Sequence, residues 1–133
     1  MNVDGICCLC NCVLETGSHL FFKCSFSKSI WEGVLKLCNV LKRVLDWSHE
    51  VDWAVKFLKG KSLLVVILKL AWCAFIYLVW RERNHRLFRH TCKSGQDILQ
   101  AIIEVVQVRL RGKNIVRTDL INSQLCRNWD ILV

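Results

Sequence analysis

The chain contains no proline among its 133 residues, where ordinary usage of about 5% would supply about seven. Proline is the strongest breaker of a helix interior, so its absence predicts long uninterrupted helices. Catalytic signatures are missing as well. No two aspartates are adjacent, and the eleven acids are scattered rather than gathered as a two-metal site would need. No P-loop, GxGxxG or GxSxG occurs. A non-catalytic protein without a small-molecule substrate is expected. The start, Met1-Asn2-Val3-Asp4-Gly5, has no basic stretch before an apolar run, so no secretory signal is expected. There is no internal repeat and no low-complexity segment.

What is present is apolar, basic and rich in thiols. Hydrophobic residues make up 53% of the chain, enough for a real core. Net charge is +8, which favours acidic partners such as nucleic acid or an anionic surface. Nine cysteines are an odd number, so at least one cannot pair within the chain. Together with the missing signal this predicts a reducing compartment, nucleus or cytoplasm, in which thiols stay free for metal.

The first thirty-one residues organise the rest. The simplest metal pattern is Cys7-x2-Cys10-x8-His19-x4-Cys24. Three thiolates and one imidazole make the closed tetrahedral set of a structural zinc site, with no position left open for water. Cys8 and Cys12 are further thiols, so the ligand pair among Cys7, Cys8, Cys10 and Cys12 stays open. Core packing, a disulfide scaffold and a redox pair are the competing readings.

Around these residues the string Cys7-x2-Cys10, Glu15-Thr16, His19-Leu20-Phe21-Phe22-x-Cys24-x-Phe26-Ser27-x-x-Ile30-Trp31 resembles the reverse-transcriptase zinc-binding domain. That domain lies at the C-terminal end of LINE-type, non-LTR retroelement polyproteins of plants. Trp80-Arg81-Glu82-Arg83-Asn84-His85-Arg86-Leu87-Phe88 is similar to a W-x-x-R-N-x-R-x-F helix downstream in the same proteins. The family usually places a Gly or similar turn residue after its CxxC, where this chain has Asn11. The resemblance implies zinc, and nucleic-acid contact beside a polymerase that lies upstream in such polyproteins. It also implies a detached C-terminal fragment, or a stand-alone product derived from one.

Fold class follows from periodicity. Expected is a mainly α protein, a small N-terminal structural zinc module followed by a bundle of about four helices, divided into a zinc-binding module with the first helix (1–41) and a helical body with a basic helix end (42–133). His19 to Lys23 reads as a short helical turn. Apolar residues at helical spacing predict a helix over 26–41, and Ser29 with Glu32 fits a capping box, although Ser25 or Ser27 could equally start it. Trp31 is expected to pack on the zinc loop, with base stacking as its alternative role. A short helix is expected over 50–59, closed by Gly60 as C′ residue. Ser62 can cap a long helix over 63–89, Ser94 with Asp97 marks another over 96–111, and Asp119 fits one more short turn.

Leu63 to Trp80 is eighteen residues and almost wholly apolar, the lower limit for a membrane span. Lys69 near its centre would cost about 2.5–3.5 kcal/mol on insertion. A buried core helix is expected, with a membrane helix as the alternative. Arg81, Arg83, Arg86, Arg89 and Lys93 oppose only Glu82 at the helix end. They predict weak, sequence-tolerant binding of RNA or single-stranded DNA, with Arg83 and Arg86 on a solvated face that also carries His90. The bland alternatives are a solvated basic face suited to the helix dipole, and a degenerate helical fragment for protein interaction.

Overall fold

Side-chain oxygens start four of the five α-helices among the described residues. In the computed structural model, which describes residues 5–131, the helices are α1 (Ser25–Leu37), α2 (Trp47–Phe57), α3 (Leu63–Phe88), α4 (Gly95–Leu110) and α5 (Leu120–Asn128). Met1 to Asp4, where most of the leader reading rests, lie outside the described residues. Asp46, Ser62, Ser94 and Asp119 each accept a hydrogen bond from the amide three residues on, which satisfies a donor that the helix itself leaves unpaired. Ser94 and Asp97 form a full capping box, as the sequence predicts. The fold is mainly α; among the described residues the only β pairing is one isolated bridge, Ile6 with Leu14.

Three boundaries differ from the sequence reading. Helix α1 ends at Leu37 instead of residue 41 because Asn39 adopts a left-handed φ of 58°. The Val40 amide then donates to the Leu35 carbonyl (2.9 Å) and the Asn39 amide to Lys36 (3.1 Å), the paired bonds of a Schellman ending. No capping box forms at Ser29; its hydroxyl donates to the Phe26 carbonyl instead (2.8 Å). Helix α2 starts at Trp47, three residues before the expected position, because Asp46 caps it. Gly60 has the expected left-handed φ of 95° but lies two residues beyond the C-cap, Leu58.

α4 packs on both α3 and α1, and α5 packs on α3. One buried cluster draws on residues from either side of residue 41. Phe22 lies at its aromatic centre, with ring centroids 5.4 Å from both Trp72 and Phe75, 5.7 Å from Trp47 and 6.1 Å from Trp31. Trp31 itself is fully buried, which removes base stacking as a role for it. Helix α3 is long and apolar enough to cross a bilayer, and 44% of its apolar window is buried. Its buried side includes Ile67, Leu68, Ala71, Phe75 and Val79. The opposite stripe, Lys69, Cys73, Tyr77 and Trp80, is exposed, so α3 is not enclosed all round as its sequence predicts.

Ile102 is fully buried in α4. Ile102→Ala is expected to lower unfolding free energy by about 2–5 kcal/mol, and Ser94→Ala by about 1 kcal/mol. Urea denaturation of the two variants checks both the size and the order of these effects.

Candidate metal centre

The first two candidate ligands sit on a tight hairpin. Ile6 bridges Leu14, the Cys7 amide donates to Val13 O (2.8 Å), and the Glu15 amide donates to Gly5 O (2.7 Å). The bend that joins these arms carries Cys7, Cys8, Leu9 and Cys10. It closes at Asn11, whose amide returns to Cys7 O (2.8 Å) and whose φ is 57°. Asn tolerates this left-handed conformation better than most residues, which is why a residue other than Gly serves at this position.

The other two candidate ligands bound a single π-helical turn, His19–Lys23, with His19 as its first residue and Cys24 as its C-cap. The Thr16 hydroxyl accepts from the His19 amide (3.0 Å) and sets its start. The Cys24 amide donates to His19 O (2.6 Å), an i→i+5 bond. In an α-helix, residues five apart are rotated by about 140°. The wider π turn brings residue 24 back above residue 19, which solves the spacing problem that this histidine and cysteine pose.

The four residues converge. The Sγ atoms of Cys7, Cys10 and Cys24 and a ring nitrogen of His19 all lie within 4.8 Å of one another. Cys7 Sγ is 3.8 Å from Cys24 Sγ, and Cys10 Sγ is 3.3 Å from His19 Nε2. Such sulfur spacing is far too long for a disulfide, whose bond is about 2.05 Å. All nine cysteines are free. The group could hold one metal ion.

Backbone amides repeat one pattern at each sulfur. Burial raises the Cys7 thiol, while the amides of Leu9 and Cys10 act to lower it. Burial also acts to raise Cys10, but the amides of Cys12 and Val13 and the His19 ring outweigh it and bring the thiol to about 6. Burial pushes Cys24 up to about 12, against the amides of Ser27 and Phe26. In all three cases the amides belong to the residues two and three positions on. Donors aimed at sulfur favour thiolate over thiol. Cys24 also stands at the N-cap of α1, the one α-helix with no side-chain cap hydrogen bond. Cys7 and Cys24, both fully buried and 3.8 Å apart, are kept as thiols by burial, so a cation that joined them would have to displace their protons.

Helix α3 holds this loop in place. Arg83 makes a bidentate ion pair with Glu15, Nε to Oε1 at 2.8 Å and Nη2 to Oε2 at 2.9 Å, with its guanidinium 4.9 Å from the Trp80 ring centroid. Arg86 donates to the carbonyls of Cys8 and Leu9 (both 3.4 Å), to Lys93 O (2.9 Å) and to Glu82 Oε2 (2.7 Å). Its guanidinium also covers Phe26 at 4.6 Å. Buried Glu82 takes a second bond from the Lys93 amide (2.8 Å). The expectation of a solvated Arg83 and Arg86 therefore fails: both are largely covered and engaged, because the loop carbonyls and two carboxylates need donors there.

The extra thiols are placed too. Cys8 Sγ contacts the Arg83 carbonyl (3.6 Å), and exposed Cys12 turns to the Cys10 carbonyl (3.1 Å). Neither joins the four-residue group. Arg81 covers the Tyr77 ring at 5.5 Å, while the side chains of Arg89 and Lys93 are exposed. Glu15 and Glu82 are the functional residues that sequence reasoning left without a role. The i, i+4 spacing of Glu82 and Arg86 was the available signal. Comparison with protein families, with characterised proteins and with solved structures gives no match.

Arg86→Leu leaves buried Glu82 without its ion partner, a change that costs about 3–5 kcal/mol in comparable pairs. It also removes the donors to Cys8 and Leu9. We expect metal transfer to a chelator to become at least tenfold faster in this variant, with helicity largely kept. An unchanged transfer rate would mean that the loop holds itself.

Proposed function

We propose that the chain is a non-catalytic, zinc-ordered module that binds nucleic acid, derived from the C-terminal region of a retroelement reverse transcriptase and working in a reducing intracellular compartment. The carrying observation is the convergence of three sulfurs and one imidazole nitrogen, all within 4.8 Å of one another. A tetrahedral zinc with bonds of about 2.3 Å to sulfur and about 2.05 Å to nitrogen requires S···S of about 3.8 Å and S···N of about 3.6 Å. The Cys7–Cys24 separation of 3.8 Å meets that requirement, and the Cys10–His19 separation of 3.3 Å falls slightly short of it. Soft thiolates with one imidazole suit zinc rather than magnesium or calcium. With four protein donors no site is left for substrate water, which favours a structural role.

The nucleic-acid reading takes support from net charge and from the resemblance of both anchor strings. Those strings meet physically, since Arg83 and Arg86 fasten the Cys7–Cys10 bend. Because these two arginines are occupied, Arg81, Arg89 and Lys93 are the cations left for phosphate at that helix end. A second reading is a helical protein-interaction fragment, or anchorage in a membrane through residues 63–80. It is favoured by an apolar surface groove lined by Phe21, Trp47, Trp72, Ile76, Tyr77 and Trp80.

Metal analysis of reduced protein should find one zinc per chain. Cys24→Ser should take this close to zero and loosen residues 5–24, because zinc-binding energy is folding energy in so short a loop. Filter binding of labelled RNA by wild-type protein should show micromolar or weaker affinity that falls as salt rises. Absence of zinc sinks the metal reading. Binding that ignores salt favours the apolar surface instead.

A further inference from the structure

The far end of α3 carries a second basic feature, about 35 Å along the helix axis from Arg86. A cavity of about 770 Å³ opens there between the start of α3, the end of α4 and the loop leading into α5. Its floor is aliphatic, with Leu63, Val66 and Ile115, and Lys61, Arg109 and Lys113 stand around it. None of these three cations has an acidic partner among the described residues, whose four ion pairs lie elsewhere. Asp119 also lines the cavity, but its carboxylate accepts the Asn122 amide (3.1 Å) as the cap of α5. No acidic residue lies in the first turn of α3, so Lys61 stands at the positive end of a 26-residue helix without a counter-charge. Three cations are thus gathered around one hollow with a single, already engaged acid.

We infer that this cleft is a phosphate-binding groove for a single-stranded nucleic acid, with Lys61, Arg109 and Lys113 contacting the backbone. The inference rests on the nucleic-acid reading above and places its main contact away from the metal centre. Charge decides for a polyanion over one small anion, since Arg111 and Arg117 continue the positive run along the same segment without an intervening acid. Shape decides for a strand over a bilayer. A hollow of this size, within the usual range of ligand pockets, admits a sugar–phosphate unit, whereas a flat membrane face would not enter it. The aliphatic floor suits sugar and base edges, and it carries no aromatic ring for stacking, so sequence tolerance follows.

The test is fluorescence anisotropy with a labelled twelve-residue oligouridylate, on zinc-loaded full chain. Wild type should bind with a log–log salt slope of about −2, the value for three cations on a single strand. The triple reversal K61E/R109E/K113E should weaken binding at least tenfold, with zinc content and helicity unchanged. The control reversal R81E/R89E/K93E, at the cations beside the metal centre, should weaken it by less than the cleft reversal does. Three single neutralisations, each to Gln, guard against a fold defect in the triple variant and should each weaken binding two- to fourfold. If the cleft variants bind like wild type while the control variant loses affinity, the groove assignment is overturned and the nucleic-acid reading stands. If wild type binds no oligouridylate at low salt, both fall. Binding confined to phosphatidylglycerol vesicles also overturns both, in favour of a membrane surface.

Discussion

The Arg86 guanidinium joins four parts of the chain, two of them far from it in sequence. It meets the Cys8–Leu9 carbonyls of the N-terminal bend, the Lys93 carbonyl before α4, the Glu82 carboxylate on its own helix and the Phe26 ring of α1. Buried charge is tolerated only when it is paired and hydrogen-bonded, and here both conditions are met on both partners. Glu82 in turn fixes the Lys93 amide, so the turn from α3 into α4 and the seat of the metal loop are set by one ion pair. Arg83 repeats the device one turn earlier through Glu15. A hairpin and one π turn have too little apolar area to stand alone, and these two arginines give them a fixed floor.

The group of four candidate ligands depends on that floor and adds to it. Phe22, between His19 and Cys24 in the chain, enters the aromatic centre with Trp31, Trp72 and Phe75. Any displacement of the π turn therefore disturbs the core as well as the ligands. Coupling runs the other way too, since Ser27 on α1 donates its hydroxyl to Leu20 O inside the turn. The metal region is fastened to the helical body by packing, ion pairs and hydrogen bonds at once, not merely tethered to it.

Much of this was legible in the sequence. Cys7, Cys10, His19 and Cys24 are the simplest set by spacing and are the four that come together, although the sequence left Cys8 and Cys12 open as alternatives, and Ser62 and Ser94 announce their helices as caps. Two kinds of feature were not legible. Asn39 ends α1 because of a backbone conformation that asparagine permits but does not require. The roles of Arg83 and Arg86 were misread because periodicity places residues on one face of a helix without saying what covers that face. Glu15, some seventy residues away in sequence, supplies the answer for Arg83. Likewise the apolar run of α3 hides its exposed stripe at Lys69, Cys73, Tyr77 and Trp80, since almost every position in it is hydrophobic.

The central claim is that Cys7, Cys10, His19 and Cys24 alone bind one ion tetrahedrally on the seat built by α3. Cobalt(II) titration of the reduced apo protein tests it most directly, because tetrahedral cobalt gives intense ligand-field bands and thiolates add charge-transfer absorption. Saturation at one cobalt per chain with intense bands, unchanged in a Cys8→Ser/Cys12→Ser double variant, is the predicted result. Weak octahedral bands, or loss of the spectrum in that double variant, would contradict the account.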